Sequence, residues 1–308
     1  MRSFLVTGVN GFVGYHLVAA LKEQGYTVIG TGRHPKTGTE AQYLDSYIGD
    51  CDLTKAEDVA RLPLDKADAI INLAGIAKVG SSFGQEDVYM RVNVQAHTRI
   101  IERLKEMRKT DLRIVAVSTG AVYDGNQPMP LNEASKTVVV GSPYALSKVA
   151  MEQALQPYIE EGFDIVIARP FNHIGPGQLE GFLVPDITKQ ALGDTKIVVG
   201  SLKTERDYTD VRDVVQAYIL LATQASLNHR LYNVCSGVSV SGETILKSVL
   251  DACGKSSTPV EVDKSLIRPN DFPKVVGDNS RIHKDTGWQP SIKLEQTIQD
   301  FIQDSRNK

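Results

Sequence analysis

Val6–Gly14 reads VTGVNGFVG. The run SFLVTG before it is short and apolar. The stretch after it, GFVGYHLVAALKEQG from Gly11 to Gly25, repeats apolar residues at helical spacing and closes on glycine. Gly8, Gly11 and Gly14 therefore form a GxxGxxG turn between a strand and a helix. Glycines there let the backbone approach a pyrophosphate, and the helix start offers unpaired N–H groups and the positive end of a dipole. A glycine trio alone is a weak signal. Its place between a first strand and an amphipathic helix is what a dinucleotide site requires.

The pattern continues outward. YTVIGTG, ADAIINLAG, LRIVAVST and FDIVIARP are further short apolar runs, with a long helical pattern from Phe83 to Lys109 among them and another helix over YALSK. Fully apolar strands alternating with helices predict an α/β fold: a Rossmann-type, doubly wound parallel sheet covered on both faces. After Arg169 the chain becomes rich in loops and proline, as in RPFNHIGPGQ, LIRPNDFPK and GWQPSIKLEQT. Residues 1–169 are expected to form the dinucleotide-binding domain, rejoined by about 208–236 through the strand HRLYNVCSG. Residues 170–207 and 237–308 are expected to form a smaller mixed substrate-binding lobe.

Composition bounds the function. The chain has 308 residues, 42% hydrophobic and 23% charged, with a formal charge of −3, so nothing electrostatic advertises nucleic acid or an anionic membrane. Cys51, Cys235 and Cys253 are far apart and fit a reducing cytoplasm. The histidines lack metal-ligand spacing, so no metal site is expected. MRSFLVTG runs straight into a strand without a signal pattern, and AIINLAGIA is too short to span a bilayer.

The second strand ends GTGRHP. Sites for NAD often carry an acid there for the ribose hydroxyls; Gly32 and Arg33 stand in its place. An arginine can pair with a 2′-phosphate, so NADP(H) is the expected cofactor, with NAD(H) the second choice. GDCDLTK puts Asp52 and Leu53 near the adenine edge, and Leu73, Ala74 and Gly75 end the fourth strand. Tyr144 and Lys148 lie four residues apart and share one helix face. Taken alone, the pair also suits a lysine stem over a packed tyrosine.

GxxGxxG, NLAG, VSTGAVYD and YALSK, in that order, resemble the extended short-chain dehydrogenase/reductase family of nucleotide-sugar enzymes. Further on, ARPFNHIGPGQLEGFLVPDITKQ, RDYTDVRDVVQAY, YNVCSG, Arg268–Pro269 and DNSRIHKDTGWQP resemble that family's reductases of GDP-linked 4-keto-6-deoxyhexoses. The resemblance spans nearly the whole chain. It implies a catalytic trio: Tyr144 moves a proton to or from the sugar oxygen, Lys148 stabilises the phenolate, and Thr119 holds that oxygen. It implies cofactor contacts from Gly8, Gly11, Phe12, Val13, Gly14, Gly32, Arg33, Asp52, Leu53, Leu73, Ala74, Gly75, Asn93, Ser118, Tyr144, Lys148 and Pro170. Substrate contacts are implied for Thr119, Asn172, Val184, Arg206 and Arg268, the two arginines clamping a diphosphate. It also implies a nucleotide-sugar substrate and a homodimer paired through the YALSK helix and the long helix before RIVAVS. His173 is assigned no catalytic role.

Two departures limit the chemistry. Dehydratases of the family carry an acid after the catalytic Ser or Thr; here Gly120 and Ala121 follow Thr119, so water elimination is not expected. Asp124 replaces the usual glycine of VYG, and the reductases' glutamates in that segment are missing, which leaves the sugar pocket open. Two other readings stand beside the reductase. One is a 4-epimerase that uses the same trio and keeps its cofactor; the other is a non-catalytic cofactor sensor, which the retained Tyr and Lys disfavour.

Overall fold

The computed structural model describes residues 2–193, 195–267 and 271–307. The strands are β1 (Ser3–Thr7), β2 (Thr27–Thr31), β3 (Ser46–Ile48), β4 (Ala69–Asn72), β5 (Arg113–Val117), β6 (Ile165–Pro170), β7 (Asn172–Ile174), β8 (Ile197–Val199), β9 (Glu205–Asp210), β10 (Leu231–Val234), β11 (Ser239–Ser241), β12 (Val260–Val262) and β13 (Lys274–Val275). The principal helices are α1 (Phe12–Glu23), α2 (Ala56–Val59), α3 (Glu86–Glu106), α4 (Pro143–Glu160), α5 (Leu183–Gly193), α6 (Val211–Thr223), α7 (Gly242–Cys253), α8 (Ser280–Thr286) and α9 (Leu294–Arg306).

The main sheet runs β10-β6-β5-β4-β1-β2-β3, with every neighbouring pair parallel. This is the expected doubly wound sheet. Its apolar strands follow from burial on both faces: Phe4 and Val6 pack with α1 and α6, whereas Leu5 packs with α3 and α4. Strand order reverses between β1 and β4. Ligands bind at such a switch, outside the carboxyl ends of the strands.

A smaller mixed sheet joins β7, β9, β11 and β13, and β8 pairs with β12. The lobe has its own core, in which Ile187 of α5, Val249 of α7 and Phe301 of α9 meet. The chain does not stay there. Ile282 of α8 and Trp288 return to the first core, beside Val214 and Tyr232. Trp288 Nε1 donates to Asp213 O at 2.9 Å, and the Asp213 carboxylate accepts from the backbone N–H groups of Ser291 and Ile292.

Candidate active site

The glycine turn lies at the switch point. Gly8 has φ +69°, the left-handed region that favours glycine. A Cβ on Gly14 would stand 2.3 Å from Gly8 O, so helix and turn could not close with any side chain there. Gly11 is the N-cap of α1, and no side chain occupies the cap. The Thr7 hydroxyl donates to Asn72 Oδ1 at 2.7 Å and accepts from Ala74 N at 3.1 Å, tying the ends of β1 and β4 together. A glycine cradle at an uncapped helix start fits a dinucleotide.

Beyond β2 the arrangement is less simple. A Cβ on Gly32 would fall 2.0 Å from Asn10 Oδ1, so the Asn10 side chain fills the space an acid at 32 would use. Asn10 accepts from the Tyr47 hydroxyl at 3.1 Å and donates to Glu40, a carboxylate only 5% exposed that also takes the Gly38 N–H at 2.9 Å. A pocket of about 380 Å³ is lined here by Asn10, His34, Lys36, Gly38 and Glu40, among others. Arg33 is exposed. Burial raises the pKa of Asp52, but the bonds from the Thr54 backbone and hydroxyl, helped by the charges of Lys55 and Arg33, hold its carboxyl below the usual range. Nothing in the sequence pattern marked Asn10, Tyr47 or Glu40, because they converge from three separate segments.

At the other end, α4 starts on Ser142, whose hydroxyl caps the Ala145 N–H, with Pro143 in the first turn. This start sets the rotation of the helix. Tyr144 and Lys148, 8% and 5% exposed, face the end of β5 together. Lys148 Nζ donates to Val117 O at 2.7 Å. Thr119, the next residue but one, begins a 3₁₀ turn over Gly120–Val122 and hydrogen-bonds the Tyr144 phenol. The three expected catalytic groups are thus in one cluster. Burial raises the Tyr144 pKa, against which the Thr119 bond acts; burial lowers Lys148 to about 8, against which the charge of Glu152 acts. Gly75 faces them: a Cβ there would be 3.5 Å from Lys148 Nζ and 2.9 Å from Asn93 Oδ1.

Several implied contacts serve the protein itself. Asn93 accepts from Ile76 N at 2.8 Å and donates to the Ser147 hydroxyl at 2.8 Å, pinning the loop after β4 to α4. The Ser118 hydroxyl donates to Glu152. Leu53 is in the core beside Val59, and Asp52 accepts from Thr54 N at 3.0 Å. Pro170 is buried at the end of β6, and Phe12 stacks against His173 at 6.1 Å. Val13 and Leu73 are half-buried against the first core.

The residues expected to contact substrate are placed differently. Asn172 is exposed at the start of β7. Arg206 is paired with Asp271 and donates to Glu205 O at 2.7 Å. Val184 is 1% exposed within the lobe's core, so its side chain offers no surface to a ligand. Arg268 lies outside the described residues.

A parallel doubly wound sheet, a glycine cradle at its switch point and a buried Tyr–Lys–Thr cluster define a nicotinamide-dependent enzyme. The chain belongs to the NAD dependent epimerase/dehydratase family, whose pattern matches residues 4–235. At 30% identity it is similar to the GDP-6-deoxy-D-mannose reductase of Pseudomonas aeruginosa, over 98% of this chain and 97% of the relative. The UDP-glucose 4-epimerase of Mycolicibacterium smegmatis is also 30% identical, over 99% and 98%. Among solved structures, RMD from Pseudomonas aeruginosa complexed with NADPH superposes with a TM-score of 0.83 at 28% identity, covering 99% of this chain and all of the other. At the level these relatives share, the chain is an NAD(P)-dependent oxidoreductase of nucleotide sugars, a reductase or an epimerase. No helix among the described residues is long and apolar enough to cross a membrane.

Proposed function

We propose that the protein reduces the C4 keto group of a nucleotide-linked 4-keto-6-deoxyhexose with NADPH, and that GDP-4-keto-6-deoxy-D-mannose, giving GDP-D-rhamnose, is its substrate. The observation that carries this reading is the β2 end. No acid stands at residue 32, Asn10 fills the space, and the following residues include Arg33, His34 and Lys36. A basic edge suits a 2′-phosphate and a cofactor that exchanges after each turnover. Two further points agree: Gly120 and Ala121 beside Thr119 supply no acid for eliminating water, and a reductase of a GDP-linked 6-deoxysugar is a full-length relative.

When bound, reduced nicotinamide supplies a hydride to C4. Thr119 holds the C4 oxygen, and Tyr144 gives it a proton from the phenol. Lys148, one turn along, stabilises the phenolate left behind. Asn172, Arg206 and Arg268 bind the sugar diphosphate. The working unit is a cytoplasmic homodimer paired through α3 and α4, which light scattering would test by mass.

The second reading is a 4-epimerase, supported by the equal identity to a UDP-glucose 4-epimerase. Stoichiometry separates the two. A reductase, dialysed free of cofactor, consumes one NADPH per 4-hydroxy sugar formed, measured by NADPH absorbance against product NMR over a panel of GDP-, dTDP-, UDP- and CDP-linked 4-keto sugars. Interconversion of two 4-hydroxy epimers without net NADPH loss overturns the reductase.

A further inference from the structure

Glu152 stands four residues past Lys148 on the inner face of α4, and its side chain is 11% exposed. Its carboxylate is fully engaged. Oε1 accepts from the Ser118 hydroxyl and from Arg169 Nε at 2.9 Å, and Oε2 accepts from Arg169 Nη2. Arg169 is itself 5% exposed and lies over the Tyr123 ring at 4.6 Å. Tyr123 in turn donates to Asn233 Oδ1 at 2.7 Å, reaching β10. Ser118 directly precedes Thr119, and Arg169 directly precedes Pro170. One carboxylate therefore joins the ends of β5 and β6 to the helix that carries Tyr144 and Lys148.

We propose that Glu152 is a positioning residue for the catalytic cluster: it fixes Thr119 and α4 in register and compensates the buried ammonium of Lys148. The proposal rests on the catalytic trio of the proposed function and not on the sugar. A brace alone would not need charge. Among the described residues, the charged and titratable groups that bear on Lys148 are Glu152 and Tyr144 on α4, His97 on α3, and, through Glu152, Arg169 on β6. Tyr144 is a neutral phenol. His97 is fully buried, which pushes its pKa well down and leaves it neutral at pH 7. Arg169 is opposed by the fork to Glu152. The carboxylate is thus the one anion among these neighbours that favours the cation on Lys148, against burial, which favours the free amine. Ionised Lys148 is present below its midpoint and lost above it. Removing the Glu152 charge must move that midpoint down.

The test is direct titration. Full-length protein carrying ¹³Cε-lysine is followed by NMR against pH, with the Lys148 signal identified by its loss in Lys148→Arg. The unmutated protein should titrate near 8. Glu152→Gln keeps an accepting oxygen for Ser118 and removes the charge; its midpoint should fall by about one unit. Glu152→Asp keeps the charge, and should titrate within a few tenths of wild type while kcat falls. Turnover of Glu152→Gln should show its alkaline limb displaced to the same extent, with cofactor affinity little changed. An unmoved Lys148 midpoint in Glu152→Gln overturns the proposal whatever the activity. Should that variant fail to fold, a wild-type Lys148 midpoint below 7 overturns it as well. No sugar is needed for the titration, so a wrong substrate assignment would leave its outcome intact.

Discussion

The proposed reacting end of the site and its proposed substrate-binding end are built on opposite plans. Thr119, Tyr144 and Lys148 are buried; Lys148 Nζ is bonded to Val117 O at the end of β5, Thr119 Oγ1 accepts from Ala121 N, and the Tyr144 phenol meets Thr119. Asn172 is exposed, and Arg206 is occupied with an acid of its own lobe, Asp271. The difference separates two tasks. Proton transfer gains from groups fixed before substrate arrives, since positioning costs nothing at the moment of reaction. Recognition can be left to exposed, exchangeable partners whose energy is spent on binding. Changes in the first region should act on kcat, and changes in the second on KM.

The largest effect should come from Tyr144→Phe. The ring keeps its packing and only the proton is lost, so kcat should fall by about 100- to 10,000-fold while NADPH binding, followed by fluorescence, stays nearly the same. Retention of more than half the wild-type rate would erase the contrast between the two ends. Thr119→Ala should come next. Loss of one hydrogen bond to the developing oxyanion should lower kcat by about 100-fold, with the substrate's KM nearly unchanged.

Arg206→Ala should do the reverse. A charge-assisted bond contributes roughly 1.5 to 3 kcal/mol, so KM for the nucleotide sugar should rise by about ten- to a hundredfold with kcat largely kept. Equal losses in kcat and kcat/KM would instead put Arg206 in the transition state and blur the comparison.

The smallest effect sharpens the cofactor edge. Gly32→Asp alone should weaken NADPH and NADH binding alike, because the new side chain meets Asn10. Combined with Asn10→Gly and Arg33→Ala, it should shift the ratio of the two affinities towards NADH by about tenfold. Comparable affinities for both cofactors in the unmutated protein would remove the basis for this prediction.

Sequence legibility follows the same division. The glycine turn, the β2 end and the Tyr–Lys helix were readable because each is a local pattern: glycines at three-residue spacing, a strand followed by Gly32, two residues one helical turn apart. The parallel sheet was readable from apolar runs alternating with helices. Glu152 lay in plain view, one turn beyond Lys148, yet its partners Ser118 and Arg169 are 34 and 17 residues away in sequence, beyond any periodicity. Asn10, Tyr47 and Glu40 met only through folding. Val184 is a different case: a position named from resemblance whose side chain is packed in the lobe's own core.

Trp288 gives this architecture a practical meaning. Because the chain re-enters the first core after leaving it, and Asp213 binds the backbone at Ser291 and Ile292, the smaller lobe is stitched into the core of the main sheet. It cannot be exchanged as a cassette. A chimera that took everything after Ser236 from a relative would import a foreign plug for the nucleotide-binding core along with the new sugar pocket. Engineers who want a different sugar should keep residues 280–292 native and graft only the loops that border the cleft.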